Sequence, residues 1–268
     1  TIRIWNSTDG QCLNVLQGHT NSVYCLLKLD EERCASGSWD RTIRIWNSTD
    51  GQCLNVLQGH TNSVTCLLKL DEERCASGSW GNTIRILNST NGECLNELQR
   101  HTSSVWCLLK LDEERFASGS EDNTICIWNS TDGKCLNVLQ GHAGRVSCLL
   151  KLDEERFSSG SHDKTIRIWN STTGQCLNVL RGHTSIVWCL LKLDKERFAS
   201  GSSDNTIRIW NNTTGECLNV LQGHTDQVRS LLKLDEERFA SGSSDNTICI
   251  WNSPVFIDRL KERLHNDE

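Results

Sequence analysis

The chain of 268 residues carries 28 Lys and Arg against 34 Asp and Glu, a formal charge of -6, and 37% of it is hydrophobic. That length can bury a substantial core, and the negative balance argues against a primarily nucleic-acid or membrane-surface role. No long apolar run, signal peptide or amphipathic targeting segment occurs, so a soluble protein is expected. The predicted elements begin inside a repeat. Residues 1–6 and 12–17 read as two strands, followed by strands at 23–29, 33–38, 42–46 and 53–57, separated by D-E-E, W-D-R and N-S-T-D-G-Q. Each is short, and the separators are rich in Asp, Asn, Ser and Gly, as strand-bounding turns are. The same four strands then recur in five further copies, the last lacking a fourth strand. No copy has apolar residues at helical spacing over ten or more positions. The tail after Pro254 differs: Phe256, Leu260 and Leu264 lie at i, i+4 and i+8, which predicts a short amphipathic helix.

The period is fixed by one column, Trp5, Trp46, Leu87, Trp128, Trp169, Trp210 and Trp251, each 41 residues from the next. A period of this size means a propeller, a solenoid or an array, and a four-stranded sheet that cannot hide both faces alone must stack on its neighbours. The absence of Met, with Thr1 opening in mid-repeat, reads as a start other than a native translation start.

Fifteen Cys fall into columns: Cys12, Cys53, Cys94, Cys135, Cys176 and Cys217 in one, Cys25, Cys66, Cys107, Cys148 and Cys189 in another, with Cys34, Cys75, Cys126 and Cys249 singular. The count is odd and no C-x-x-C pair occurs. Buried free thiols acting as small hydrophobes in a reducing, cytoplasmic compartment are therefore expected. The N-S-T triplets at Asn6, Asn47, Asn88, Asn129 and Asn170, with N-N-T-T at Asn211, read as tight turns, and as glycosylation acceptors if the chain is secreted.

G-H near the start of the unit, S-G-S-x-D in its middle and T-I-R-I-W at its third strand resemble the WD-repeat β-propeller family over residues 1–252, although the closing dipeptide here is Trp-Asn. The resemblance implies an all-β propeller of four-stranded antiparallel blades, with residues 253–268 as a tail. Six blades close if the strand at 12–17 completes the last blade beside 248–251; a further half repeat upstream would make seven. It also implies a hydrogen-bonded tetrad of His, Ser or Thr, Asp and Trp inside each blade. The matching sets are His19, Ser38, Asp40 and Trp46; His101, Ser120, Asp122 and Trp128; and His142, Ser161, Asp163 and Trp169. Two more follow: His183, Ser202, Asp204 and Trp210; and His224, Ser243, Asp245 and Trp251. Ser38 is chosen over Ser36, although strand alternation puts both on one face. The second copy breaks the pattern, with Gly81 for Asp and Leu87 for Trp beside His60 and Ser79, and is expected to be the weakest blade.

Identical His and Asp groups spaced around a ring do not converge on one centre, and no nucleophile-base pair, phosphate loop or metal-ligand spacing occurs. No catalysis, metal or cofactor is expected. Three columns escape the uniformity of the copies. After the first-strand Val come Tyr24, Thr65, Trp106, Ser147, Trp188 and Arg229. Before it come Ser22, Ser63, Ser104, Arg145, Ile186 and Gln227, and ahead of the Asp column come Trp39, Trp80, Glu121, His162, Ser203 and Ser244. In the family these columns border the mouth of the central channel on one face, where peptides and partner proteins dock. The resemblance thus implies an interaction platform whose partner-binding residues are Tyr24, Trp39, Trp80, Trp106, Glu121, Arg145, His162, Trp188 and Arg229, with Lys164 adding basic character. A protein or peptide segment with an apolar anchor and an acidic or phosphorylated group fits that set, and a solvated acidic rim of D-E-E-R turns is expected on the opposite face. A purely structural repeat and an enzyme are the other two classes.

Overall fold

The computed structural model describes residues 1–253, so the helix predicted around Phe256, Leu260 and Leu264 lies outside the described residues. The described residues are all-β and contain no helix. The chain divides into two compact units, Thr1–Gln140 and Gly141–Glu268.

The first unit opens with a two-stranded antiparallel sheet, β1 (Ile2–Trp5) and β2 (Cys12–Leu16). Three four-stranded antiparallel sheets follow. The first is β3 (Val23–Lys28), β4 (Arg33–Ser38), β5 (Ile43–Asn47) and β6 (Cys53–Leu57). The second is β7 (Val64–Lys69), β8 (Arg74–Ser79), β9 (Thr83–Asn88) and β10 (Cys94–Gln99), and the third β11 (Val105–Lys110), β12 (Arg115–Ser120), β13 (Ile125–Asn129) and β14 (Cys135–Leu139). The second unit holds β15 (Val146–Lys151) to β18 (Cys176–Leu180) through β16 (Arg156–Ser161) and β17 (Ile166–Asn170), and then β19 (Val187–Lys192), β20 (Arg197–Ser202), β21 (Ile207–Asn211) and β22 (Cys217–Leu221). It ends with three strands, β23 (Val228–Lys233), β24 (Arg238–Ser243) and β25 (Ile248–Asn252). In every sheet consecutive strands are neighbours, the blade pattern of a propeller.

The closure expected from the sequence is corrected here: β2 pairs with β1, Ile2 opposite Leu16, rather than with the strand at 248–251. The physical reason is locality, because a short turn joins β1 to β2 and a short loop loses little entropy on closing.

Alternation along the third strands builds the core. Ile43 and Ile45 leave one face of their sheet and pack with Val64, Cys75 and Leu87 of the next, and Ile84 and Ile86 meet Val105, Phe116 and Trp128 in the same way. In the second unit Leu152, Ile166 and Ile168 pack on Val187, Phe198 and Trp210, and Leu193, Ile207 and Ile209 on Val228 and Phe239. Fully burying each such side chain stabilises by about 1.5–3 kcal/mol, so the sheets depend on their neighbours for stability.

The turns follow the local chemistry. Asn47 Oδ1 accepts from the backbone N–H of Thr49 at 2.7 Å and of Asp50 at 3.2 Å, and Gly51 takes a φ of 78°, so the N-S-T triplet is used as a turn. The D-E-E-R turns are self-capped: Asp30 Oδ1 accepts from the N–H of Glu32 and Arg33, and its Oδ2 accepts from Arg33 Nε at 2.7 Å. Glu31, Glu72, Glu113, Glu154 and Glu236 each pair with the Lys three residues before, so this rim carries matched charges as well as acidic ones. Among the Cys, the expectation of burial is corrected for one column: Cys12, Cys53 and Cys94 are exposed, because the fourth strand is the outer strand of its sheet. Cys66, Cys75 and Cys126 are buried, and burial pushes the Cys66 and Cys75 thiols up to about 12.

One backbone position is strained in two copies. The residue after the Asp column takes a left-handed φ: 59° at Asn82, 70° at Asn123, 68° at Asn205 and 66° at Asn246, but also 68° at Arg41 and 71° at Lys164. Asn tolerates this region, while a long side chain costs about 1–2 kcal/mol. Lys164→Asn is therefore expected to raise stability by about 1 kcal/mol, read as a higher urea midpoint; an unchanged or lower midpoint would show that φ strain is not limiting there.

Candidate functional site

Each intact sheet carries a hydrogen-bonded relay that fixes its upper edge. His19 Nδ1 lies 2.7 Å from Asp40 Oδ2 and His19 Nε2 lies 2.7 Å from Ser36 Oγ, which is also 2.7 Å from Trp46 Nε1. A carboxylate only accepts and an indole N–H only donates, so Nδ1–H donates to Asp40, Trp46 donates to Ser36, and Ser36 donates to Nε2. The same relay runs through His101, Asp122, Ser118 and Trp128, and through His142, Asp163, Ser159 and Trp169. It recurs in His183, Asp204, Ser200 and Trp210, and in His224, Asp245, Ser241 and Trp251.

The serine chosen from the sequence is corrected in all five sets. Ser38, Ser120, Ser161, Ser202 and Ser243 stand at the strand end, where each hydroxyl accepts from the N–H of the Asp two residues on and donates to a backbone carbonyl, as Ser120 does to Ser103. The serine two residues earlier lies deeper in the sheet, in reach of the indole. A fifth member was missed. Thr42 Oγ1 donates to Asp40 Oδ1 at 2.6 Å, and Thr124, Thr165, Thr206 and Thr247 repeat this. Its signal was a Thr at the same place in every copy. Burial alone would raise the Asp40 carboxyl, but hydrogen bonds from Thr42 and His19 hold it down at about 2.

The second copy is built differently. His60 Nε2 meets Ser77 Oγ at 2.7 Å, while Nδ1 has only Thr83 Oγ1 at 3.3 Å, because Gly81 offers no carboxylate. Arg85 lies against Gly59, as Arg44 does against Gly18, but in this copy it also pairs with Glu97, the residue that replaces Val in the fourth strand. Burial, and to a lesser degree the Arg85 charge, lower the His60 pKa to about 4 against the opposing pull of Glu97.

The three variable columns lie together at one edge of the sheets. Register slips between Val23 and Cys25 and at the equivalent place in every copy, so the residue after Val is the unpaired residue of a β-bulge, a device that re-aims a side chain. The other two columns are tied by a backbone bond: the N–H of Trp39 donates to the Ser22 carbonyl at 2.9 Å, and Trp80 to Ser63, Glu121 to Ser104, His162 to Arg145, Ser203 to Ile186 and Ser244 to Gln227 follow suit.

In the first unit these columns place Tyr24, Trp39, Trp80 and Trp106 in a continuous run of rings. Tyr24 stacks on Trp39 at 5.8 Å, Trp80 lies 5.9 Å from Tyr24 and 5.4 Å from Trp39, and Trp106 lies 5.6 Å from Trp80. Tyr24 is 43% and Trp39 39% exposed, so these two form the open end, while Trp80 and Trp106 are half-buried. The Trp80 Nε1–H has no acceptor among the described residues. Glu121 is exposed, its Oε2 accepting from Ser103 Oγ at 3.2 Å.

In the second unit the columns bring Arg145, His162, Trp188 and Arg229 into one cluster. The Arg229 guanidinium carbon lies 4.0 Å from the centroid of the Trp188 ring, that of Arg145 5.2 Å, and the His162 ring stands edge-on at 5.2 Å. Three residues the sequence reading passed over hold the cluster. Ser203 Oγ accepts from Trp188 Nε1 at 2.6 Å and donates to Gln227 Oε1 at 2.9 Å, and Ser244 Oγ accepts from Arg229 Nε at 3.3 Å. All three belong to the variable columns, but small polar side chains gave no reason to single them out. Lys164 is exposed beside the cluster's loop.

The family model for the WD domain, G-β repeat, matches six times, at residues 10–47, 51–88, 92–129, 133–170, 174–211 and 215–252. Among solved structures the chain is similar to the computationally designed Ika8 protein, at 30% identity and a TM-score of 0.84 over 94% of this chain and 77% of that one. None of the curated proteins compared matches it. With six matched repeats spanning most of its length and the relay in five of its sheets, the chain belongs to the WD-repeat family.

Proposed function

We propose that residues 1–252 form a non-catalytic recognition module that binds a protein or peptide segment on the surface built by the three variable columns, which in the family rims the mouth of the central channel. WD-repeat domains generally serve as interaction platforms rather than catalysts. The observation that carries the reading is the conjunction of the bulge and the backbone tie. Together they bring the columns that vary to one edge and leave aromatic rings exposed there. Exposed aromatics are favoured anchors at interfaces. The open end at Tyr24 and Trp39 takes an apolar side chain of the partner, and the basic second-unit cluster takes a negatively charged group, acidic or phosphorylated. No cofactor or metal enters this reading, since the relay histidines are each committed to their own sheet. The fifteen thiols, all free, support an intracellular, reducing setting. A ligand sensor, a substrate receptor of a larger enzyme and a signalling scaffold all fit.

The test compares the chain with a variant carrying Trp39, Trp80, Trp106 and Trp188 all changed to Ala, both first shown to fold by circular dichroism. The expected result is a protein from cell extract retained by the first and lost by the second. Equal retention by both would move the binding surface elsewhere, or leave the repeats a structural role.

A further inference from the structure

We infer that Cys126 and Cys135, the thiol pair of the sheet β11–β14, form a binding site for a soft monovalent metal ion, Cu(I), held between the two sulfurs. Such a site is independent of the recognition surface proposed above. It arises from one departure in the repeat. In the other complete sheets an arginine occupies this place on the third strand, and in three of them it points at the thiol of the fourth: Arg44 Nη1 lies 3.6 Å from Cys53 Sγ, Arg167 Nη1 3.6 Å from Cys176 Sγ and Arg208 Nη1 3.6 Å from Cys217 Sγ. With Cys126 in place of the arginine, thiol faces thiol. β13 and β14 pair Trp128 with Cys135 and Cys126 with Val138, which puts the two thiols one register step apart on one face, in the cluster built around Trp128. Burial first, and then the neighbouring Cys135, push the Cys126 thiol up. A cation between the sulfurs removes that conflict, because a coordinated thiol gives up its proton and the two negative sulfurs no longer face each other bare.

Spacing and ligand count decide what fits. Residues one register step apart across two strands sit about 7–8 Å apart, beyond the Cα separation of about 4.4–6.8 Å that a disulfide needs, whereas a metal adds two bonds between the sulfurs. A structural zinc ion takes four ligands, and among the described residues no three His, Cys, Asp or Glu come together to hold a metal. His101 Nδ1 is 3.9 Å from Cys126 Sγ, but its hydrogen goes to Asp122 at 2.8 Å, and Nε2 is taken by Ser118 at 2.7 Å. Two thiolates alone suit Cu(I), a soft ion that thiolate ligands select. Binding exchanges two S–H bonds for two S–Cu bonds and releases both protons, with no change of oxidation state, and the site is left with one negative charge. Arg100 is placed to balance it. This arginine replaces the glycine that precedes the relay histidine in every other copy, and with Cys126 it lines a cavity of about 120 Å³ that gives a small ion its way in.

The test is anaerobic competition for less than one equivalent of Cu(I), supplied as its bicinchoninate complex and read from the loss of that complex's colour, with every variant first shown to fold by circular dichroism. The chain is expected to take the metal with an affinity that does not change with protein concentration. Cys126→Arg restores the residue that the other complete sheets carry, and it should weaken binding about a hundredfold, as should Cys135→Ser, because a single thiol lacks the effective concentration of the second. Cys53→Ser should leave the affinity unchanged, since the neighbour of that thiol is Arg44. X-ray absorption of the loaded chain should show two sulfur ligands and no third. Added Cu(I) should also raise the unfolding midpoint of the chain, which an ion bound to the folded state does, and leave that of Cys126→Arg in place. Undiminished binding by Cys126→Arg or Cys135→Ser would overturn the inference. So would an affinity that rises with protein concentration, the mark of one ion shared by two chains, or a copper ion with three or more sulfurs around it.

Discussion

Ser118→Ala should lower the unfolding free energy by about 4 kcal/mol, whereas Ser120→Ala, two residues along the same strand, should lower it by about 1 kcal/mol. Both serines are fully buried, so burial does not separate them. Their partners do. Ser118 Oγ lies 2.7 Å from His101 Nε2 and 2.8 Å from Trp128 Nε1, and both of those atoms belong to buried side chains. Removing one hydroxyl orphans two ring nitrogens, each costing about 1–3 kcal/mol where water cannot replace the lost partner. Ser120 serves the N–H of Asp122 and the carbonyl of Ser103, both in a turn, where solvent can substitute. Denaturant midpoints of the two variants check this directly, and equal losses would show that the relay is not the stronger of the two networks.

Between pH 6.5 and 4 the protein should lose about 3 kcal/mol of stability through His60 alone. The sign follows from proton counts. The unfolded chain protonates this imidazole at its ordinary 6.5, whereas the folded chain resists until about 4. The unfolded state therefore binds more protons across that window, and stability falls as pH falls. The relay carboxylates titrate lower, Asp40 at about 2, so their stabilisation is present above 3.8 and is lost only below it. Gly81→Asp should flatten the step by giving His60 Nδ1 the carboxylate that the other copies have. A Cβ there would crowd the Thr61 hydroxyl at 2.7 Å, the end of a rotatable group that can turn aside, and would make ordinary contacts with Ser79 and Asn62. Unfolding midpoints at pH 7 and pH 4.5 for both proteins decide the matter. The same decline in each would mean that His60 is not the group responsible.

The strands, their order and their lengths were legible because period-two alternation and Asx-rich turns repeat in every copy. Thr42–Trp46 read as a strand, and Ile43–Asn47 forms one. The relay was legible down to His, Asp and Trp through the resemblance to the WD-repeat family. Its serine was not, since Ser36 and Ser38 share a face and depth along the strand is invisible to alternation. The pairing of β2 also escaped, because the third strands T-I-R-I-W and T-I-C-I-W, which differ at one residue, offer it near-equivalent partners and only chain proximity chooses. At the surface the aromatic residues announced themselves, whereas Ser203, Gln227 and Ser244 acquire meaning only from the ring and guanidinium they hold.

The bond from the Trp39 N–H to the Ser22 carbonyl, like its equivalents in the other copies, is made by main-chain atoms alone, and the bulge beside it holds an exposed Tyr24 in one copy and a buried Thr65 in the next. The backbone tie itself accepts any residue but proline at the donor position, so these columns can differ from copy to copy without losing it. A lineage that duplicates the unit inherits the whole scaffold at once and can then edit the reading edge letter by letter, so six nearly identical copies can present six different faces to whatever they meet.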